Sequence, residues 1–137
     1  LSHLDLQNNN INTEGMISLS HSLWHTTSLK FLNVSRNRIG DAAMKVFANM
    51  LKGNKKLKQV HLNENPLTDQ SGNAIAEALE VNYQLRELGL AVCLLGSESC
   101  FAFARSLQRN KTLRILNLSG NRLKDAGVRT ILTVAEN

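Results

Sequence analysis

The sequence predicts an α/β solenoid, with a parallel β-sheet on one side and α-helices on the other. Two observations carry the prediction. The aliphatic template LxxLxLxxNxL recurs five times at steps of 28 residues without insertion, opening at Leu1, Leu29, Leu57, Leu85 and Leu113. Each template is followed by a stripe of apolar and small residues at i, i+3, i+4 and i+7, the spacing of one buried helix face.

The segments LSHLDLQNNNI, LKFLNVSRNRI, LKQVHLNENPL, LRELGLAVCLL and LRILNLSGNRL each begin with a short strand. Their fourth and sixth residues face the core, and the third, fifth and seventh alternate with them on the solvent side. The ninth column holds Asn9, Asn37, Asn65, Cys93 and Asn121. In stacked units this side chain points inward at the turn after the strand, where an amide donates twice and also accepts. Cys93 is read as a small, burial-tolerant substitute in that ladder rather than a reactive thiol or metal ligand. Cys100 falls on a helix core face and takes the same reading.

The second half of each unit is helical. Thr13, Asp41, Asp69, Ser97 and Asp125 form a column of good N-caps. The core faces that follow are Met16, Leu19, Ser20, Leu23; Met44, Phe47, Ala48, Leu51; Gly72, Ile75, Ala76, Leu79; Cys100, Phe103, Ala104, Leu107; and Val128, Ile131, Leu132, Ala135. Asn54, Asn82 and Asn110 recur near the helix ends, where Asn tolerates a left-handed cap; Thr26 breaks that column. No unit can bury its apolar face alone, so neighbours must stack. Helices are bulkier than strands, so the array curves, with the sheet on the concave face and the helices on the convex one. The expected organisation is one domain, residues 1–137, with repeats starting at 1, 29, 57, 85 and 113. The chain starts on a consensus leucine and stops within the fifth helix, so a segment of a longer array is expected, or self-association through uncapped ends.

The pattern resembles leucine-rich repeat proteins of the ribonuclease-inhibitor-like subfamily over the whole length. The resemblance rests on LxxLxLxxN/CxL, the 28-residue period and helical halves such as NRLKDAGVRTIL at 121–132. It implies a right-handed horseshoe, a cytoplasmic setting and a non-enzymatic module that binds a protein partner. Composition is compatible with this. Apolar residues are 42% and charged residues 20%, a balance typical of a soluble globular chain. No apolar run approaches the ~20 residues of a membrane span. Two irregularly spaced cysteines do not make a disulfide scaffold, which favours a reducing compartment.

The concave surface is predicted from strand alternation: His3, Asp5, Gln7; Phe31, Asn33, Ser35; Gln59, His61, Asn63; Glu87, Gly89, Ala91; Ile115, Asn117, Ser119. It is polar, with Phe31 and Ile115 as apolar points and Phe31 as an anchor for a partner. The expected contact residues are His3, Asp5, Phe31, Asn33, Arg36, Gln59, His61, Asn63, Glu87, Ile115 and Asn117. Val92 and Leu94 turn the adjoining rim apolar in the fourth repeat, which gives a second contact or merely a repacked turn.

KGNKKLK at 52–58, with Lys30, Arg86, Arg109, Lys111 and Arg114, collects positive charge at the other rim. Nucleic-acid binding there is one alternative reading, although the aromatic interleaving of single-strand binders is missing. A second alternative is a GTPase-activating surface resembling Ran-activating proteins, with Arg36, Arg38 or Arg122 at the rim. No cofactor, metal or catalytic set is expected. His21 and His25 share a helix face but find no third ligand, and Trp24 beside them should lie on the outer surface or against a preceding repeat. His3 and His61 are two strands apart, about 10 Å, too far for one zinc. Ser35 and Ser119 lack an adjacent histidine. The triplets NVS, NLS and NKT are read as coincidences, two of them lying inside strands.

Overall fold

The structure is a computed structural model and describes residues 1–25, 28–125 and 127. Within them strands and helices alternate: β1 (His3–Asp5), α1 (Thr13–Trp24), β2 (Phe31–Asn33), α2 (Asp41–Gly53), β3 (Gln59–His61), α3 (Asp69–Leu79), β4 (Glu87–Gly89), α4 (Ser97–Arg109) and β5 (Ile115–Asn117). The strands form one sheet in chain order, every pair parallel. Parallel neighbours require a crossover, and the helix of each repeat supplies it. The register steps by 28: Leu4, Leu32, Val60, Leu88 and Leu116 stand opposite one another in turn. Of the helix predicted after β5, residues 124, 125 and 127 are described and are helical, while Val128, Ile131, Leu132 and Ala135 lie outside the described residues, as does Thr26.

The template leucines build the core. Leu29, Leu57 and Leu85 are buried, as are Leu32, Val60 and Leu88, Val34, Leu62 and Leu90, and Ile39, Leu67 and Leu95. Each such side chain contributes about 1.5–3 kcal/mol by leaving water. From the helices, Met16, Met44, Phe47, Leu51, Ile75, Leu79 and Phe103 close the interior. Leu19 and Leu107, expected in the core, are only half-buried. Leu1 stands 81% exposed, and Leu4 and Leu6 are half-buried, because a neighbouring repeat covers them on one side only.

A second helix stripe, not anticipated, buries Ala43, Ser71 and Ser99 and then Met50, Ala78 and Ser106. Apart from Met50 these side chains are small, and they lie where successive helices pack side by side. Gly72 is needed there, since a Cβ on it would stand 2.1 Å from Ser99 Oγ.

The predicted N-cap column is displaced by one residue, and its job differs. Thr13, Asp41, Asp69 and Ser97 are the first helical residues; the caps are Asn12, Gly40, Thr68 and Gly96. Asn12 and Thr68 cap their own helices. Glycine has no side chain to do so, and the preceding repeat supplies the acceptor. Thr13 Oγ1 accepts from the Gly40 N–H at 2.9 Å. Asp69 Oδ1 accepts from the Gly96 N–H at 2.8 Å, the Ser99 N–H at 3.1 Å and the Ser99 hydroxyl. Asp41 likewise takes the Thr68 N–H and hydroxyl at 2.9 and 2.6 Å. The carboxylates thus sit at the positive end of the next helix. At Asp41 burial opposes the charge, but hydrogen bonds from Ser71 and Thr68 outweigh it and hold the pKa below the ordinary 3.8.

The helix-end asparagines are not left-handed either. Asn54 and Asn110 have extended backbones, with φ of −77° and −83°. Asn82 and Asn110 form a second buried ladder instead. Asn82 Nδ2 donates to the Leu51 carbonyl at 2.7 Å, and Asn110 Nδ2 to those of Leu79 and Asn82 at 2.8 Å. Leu51 lies in the last turn of α2 and Leu79 ends α3, and the last carbonyls of a helix lack intrahelical partners. Each amide oxygen then closes its own turn, as Asn82 does for Gln84 and Leu85.

Candidate interaction surface

The ninth-column ladder sets the turn after each strand. Asn37 Nδ2 donates to the carbonyls of Leu6, Val34 and Ser35, while its oxygen accepts from the Asn9 and Ile11 amides at 2.9 Å. Asn121 repeats the arrangement with Leu90, Leu118 and Ser119, accepting from Cys93 and Leu95. Cys93 occupies the same place with less reach. Its Sγ lies 3.5 and 3.7 Å from the Leu62 and Ala91 carbonyls. Burial pushes the Cys93 and Cys100 thiols above their usual value, so neither is poised as a thiolate nucleophile.

The residue before each ninth column takes a left-handed backbone: Asn8, Arg36, Glu64, Val92 and Gly120, with φ between 53° and 71°. Asn and Gly accept this conformation readily. Val92 does not, because its branched Cβ crowds the following carbonyl. Val92 and Leu94 are 54% and 44% exposed, and the column assignment shows why: Val92 occupies the outward turn position.

On the solvent side of the sheet, the structure gathers four of the predicted residues into one group. His3 stacks on Phe31, ring centroids 3.9 Å apart and planes within 1°. His61 leans on the other side of Phe31, at 5.5 Å and 47°. His61 Nε2 lies 3.1 Å from a Glu87 carboxylate oxygen. His3 and Phe31 stand directly opposite, while the two His61 contacts are diagonal, since His61 is in register with Asn33 and Gly89, two residues along from Phe31 and Glu87. Gly89 leaves the space, as a Cβ there would stand 2.9 Å from His61 Nδ1. Phe31 is therefore half-buried between imidazoles, not freely exposed. Ile115 is the freely exposed apolar point, at 53%.

The amides predicted for partner contact are largely engaged within the fold. Asn33 and Asn117 accept from the backbone N–H two residues on, as Asp5 does. Asn33 Nδ2 also donates to Gln7 Oε1 at 2.9 Å, and Asn63 Oδ1 accepts from Ala91 N–H. Ser35, expected to face solvent, is buried; its Oγ accepts from the Asn63 N–H at 3.1 Å. Gln59 is exposed and Arg36 pairs with Glu64 at 3.5 Å. Arg36, Val92 and Leu94 follow the strands, at the opposite end of the sheet from Phe31 and Ile115. The side-chain commitments of Asn33, Asn63 and Asn117 were not readable from alternation, although Asx residues two before a turn amide are a signal for them.

Among the described residues, no group of three or more His, Cys, Asp or Glu is placed to hold a metal ion. His21, His25 and Trp24 lie exposed at the end of α1. No described helix is long and apolar enough to cross a membrane. On the helical side, a groove of about 570 Å³ between α3 and α4 is lined by Glu77, Glu80, Glu98, Phe101 and Arg105, among others.

Solved structures share the architecture, among them the following two. One is described as leiomodin-1 actin-binding site 2, with TM-score 0.80, 22% identity, and coverage of 98% of this chain and 79% of that one. The other is the tropomodulin C-terminal domain of Caenorhabditis elegans, with TM-score 0.85, 14% identity and coverage of 99% and 83%. No curated protein sequence matches the chain. The profile described as Leucine Rich repeat matches residues 1–20, 25–48, 53–76 and 109–132, and passes over the repeat that carries Cys93. Those matches take in more than half of the chain, and the chain belongs to the leucine-rich repeat family.

Proposed function

We propose that the chain is a non-enzymatic interaction module that holds a protein partner on the solvent face of its sheet and on the adjoining rim. The observation that carries this reading is the His3–Phe31–His61–Glu87 group. Rings locked against one another on a rigid sheet lose little rotamer freedom on binding, so contact energy is not spent on ordering them. Ile115 extends the same face as an exposed aliphatic point, and Gln59 and Asp5 offer polar contacts beside it. His3, Asp5, Phe31, Gln59, His61, Glu87 and Ile115 form the main contact. Asn33, Asn63 and Asn117 act chiefly by holding the turns in shape. Arg36, Val92 and Leu94 form a separate rim contact.

The 28-residue period and helices of 11–13 residues favour the ribonuclease-inhibitor-like branch, and with it a cytoplasmic setting. One of the similar structures is an actin-binding site by its own description, so actin is the first partner to test. The test is actin co-sedimentation alongside affinity capture from cell lysate, each with the unaltered chain and with Phe31→Ala/His61→Ala. The reading expects a bound set that the double variant loses while its circular dichroism is unchanged. Identical capture by both proteins refutes the sheet-face assignment. Serine at Val92 and Leu94 tests the rim separately, through partner capture and oligomeric state.

A further inference from the structure

The second residue of each repeat after the first is basic: Lys30, Lys58, Arg86 and Arg114. In the fold they form one column at the strand entrances. The Lys30 carbonyl accepts from the Lys58 and Gln59 amides at 2.8 and 3.1 Å; the Lys58 carbonyl accepts from Arg86 and Glu87, and the Arg86 carbonyl from Arg114 and Ile115. The sheet ladder therefore runs through this column and sets its spacing at about 4.8 Å per step, or about 14 Å from end to end. Lys55, Lys56 and Lys111 add exposed cations in the loops just before the strands.

Like charges on directly opposite strand positions destabilise a sheet. Other columns avoid this, as with Arg36 opposite Glu64 and the diagonal His61–Glu87 contact. None of these seven cations is in a described ion pair; the three pairs are Arg36–Glu64, Lys52–Glu77 and His61–Glu87. Lys58 reaches only the neutral Gln84, at 3.1 Å, and Lys111 the Leu107 carbonyl, at 3.2 Å. The edge also accounts for the sign of the whole chain. Of the sixteen Lys and Arg residues, removing these seven leaves nine against eleven Asp and Glu.

We propose that this edge is a docking site for an acidic α-helix of a partner protein, laid across the strand entrances. This surface is distinct from the aromatic group on the sheet face, and the proposal stands or falls separately. Spacing selects the occupant. A helix bearing one carboxylate per turn repeats every 5.4 Å, so three turns span about 16 Å, within about 2 Å of the column. Long Lys and Arg stems absorb that difference. Same-face residues of an extended strand repeat at about 6.8 Å and overrun the column by about 6 Å over three steps. Phosphates of duplex DNA wind around the helix axis and do not stay in line with a straight column. Single-stranded nucleic acid is held by successive aromatic stacking platforms, whereas the exposed Trp24 and Tyr83 at this edge stand two repeats apart.

The test uses the 137-residue chain and two synthetic helical peptides of equal composition. One carries Glu at i, i+4, i+7 and i+11, and the other has the same Glu residues spread around the helix. A duplex and a single-stranded oligonucleotide serve as competitors, with binding read by fluorescence anisotropy. The proposal expects the patterned peptide to bind at least tenfold more tightly than the spread one, with affinity falling as salt rises. Lys58→Gln/Arg86→Gln should weaken that binding at least tenfold while leaving the thermal midpoint and the Phe31-dependent partner capture unchanged. Charge reversal at exposed Lys30 and Arg114 provides a second pair of variants with the same expected loss. Equal binding of the two peptides, no binding, or tighter binding of either oligonucleotide overturns the proposal.

Discussion

Replacing Cys93 by asparagine should stabilise the protein. At Asn37 the amide oxygen holds two backbone amides of the preceding repeat at 2.9 Å, and at Asn121 two at 3.1 Å. Cys93 offers no oxygen to the corresponding amides of Asn65 and Leu67. The Leu67 N–H turns back to the Asn65 carbonyl instead, at 2.8 Å. The thiol also replaces an amide donor with a weak one, 3.5 and 3.7 Å from its acceptors. Restoring one or two bonds of about 0.5–1.5 kcal/mol each sets the gross gain. Fitting a larger side chain into a packed turn offsets part of it. The column already accommodates Asn in the flanking repeats, at Asn65 and Asn121, so the net gain should be about 1 kcal/mol. In a domain of this size that raises the midpoint by about 3–5 °C. Thermal and urea unfolding of Cys93→Asn, with Cys93→Ser as a control too short to bridge both sides, gives the measurement. A Cys93→Asn protein with an unchanged circular dichroism spectrum that melts at or below the parent temperature refutes the ladder argument.

Asp69→Ala should cost about 1–3 kcal/mol in urea unfolding, because it strips the acceptor from the Gly96 and Ser99 amides at the start of α4. Asp41 should show an acid-side dependence. Its folded pKa lies below 3.8, so its contribution is full above that unfolded value and is lost as pH falls through the folded one. The stability deficit of Asp41→Asn, about 1 kcal/mol at neutral pH, should therefore shrink on acidification, as read by urea midpoints across that range. Val92→Asn should gain about 1 kcal/mol at unchanged m-value, since φ of 53° costs a β-branched residue more than it costs Asn.

Much of the architecture was legible because the template is a one-dimensional code. A 28-residue step with no insertion leaves a single way to stack, and Leu32, Val60 and Leu88 fall into one row as the repeat demands. The displaced caps show where that reading stops. Asp69 looks like a cap for its own helix, and only the stacking reveals that its carboxylate reaches the next one. The same holds for Asn82 and Asn110, whose amides serve the helix ends of the preceding repeat. The sheet face was legible as a set of positions but not as an arrangement. Alternation placed Phe31 outward, while its burial depends on His3 and His61 on neighbouring strands.

By itself the sequence determined the repeat length, the order of strand and helix, the leucine core and the ladder column that Cys93 interrupts. These follow from local periodicity and from the need of each unit to bury one apolar face. Tertiary structure alone decided which repeat each polar side chain serves, which surface residues meet, and how the cations at the strand entrances align. Hydrogen bonds and ring contacts between repeats join residues about 28 apart, and their geometry exists only once the units are stacked.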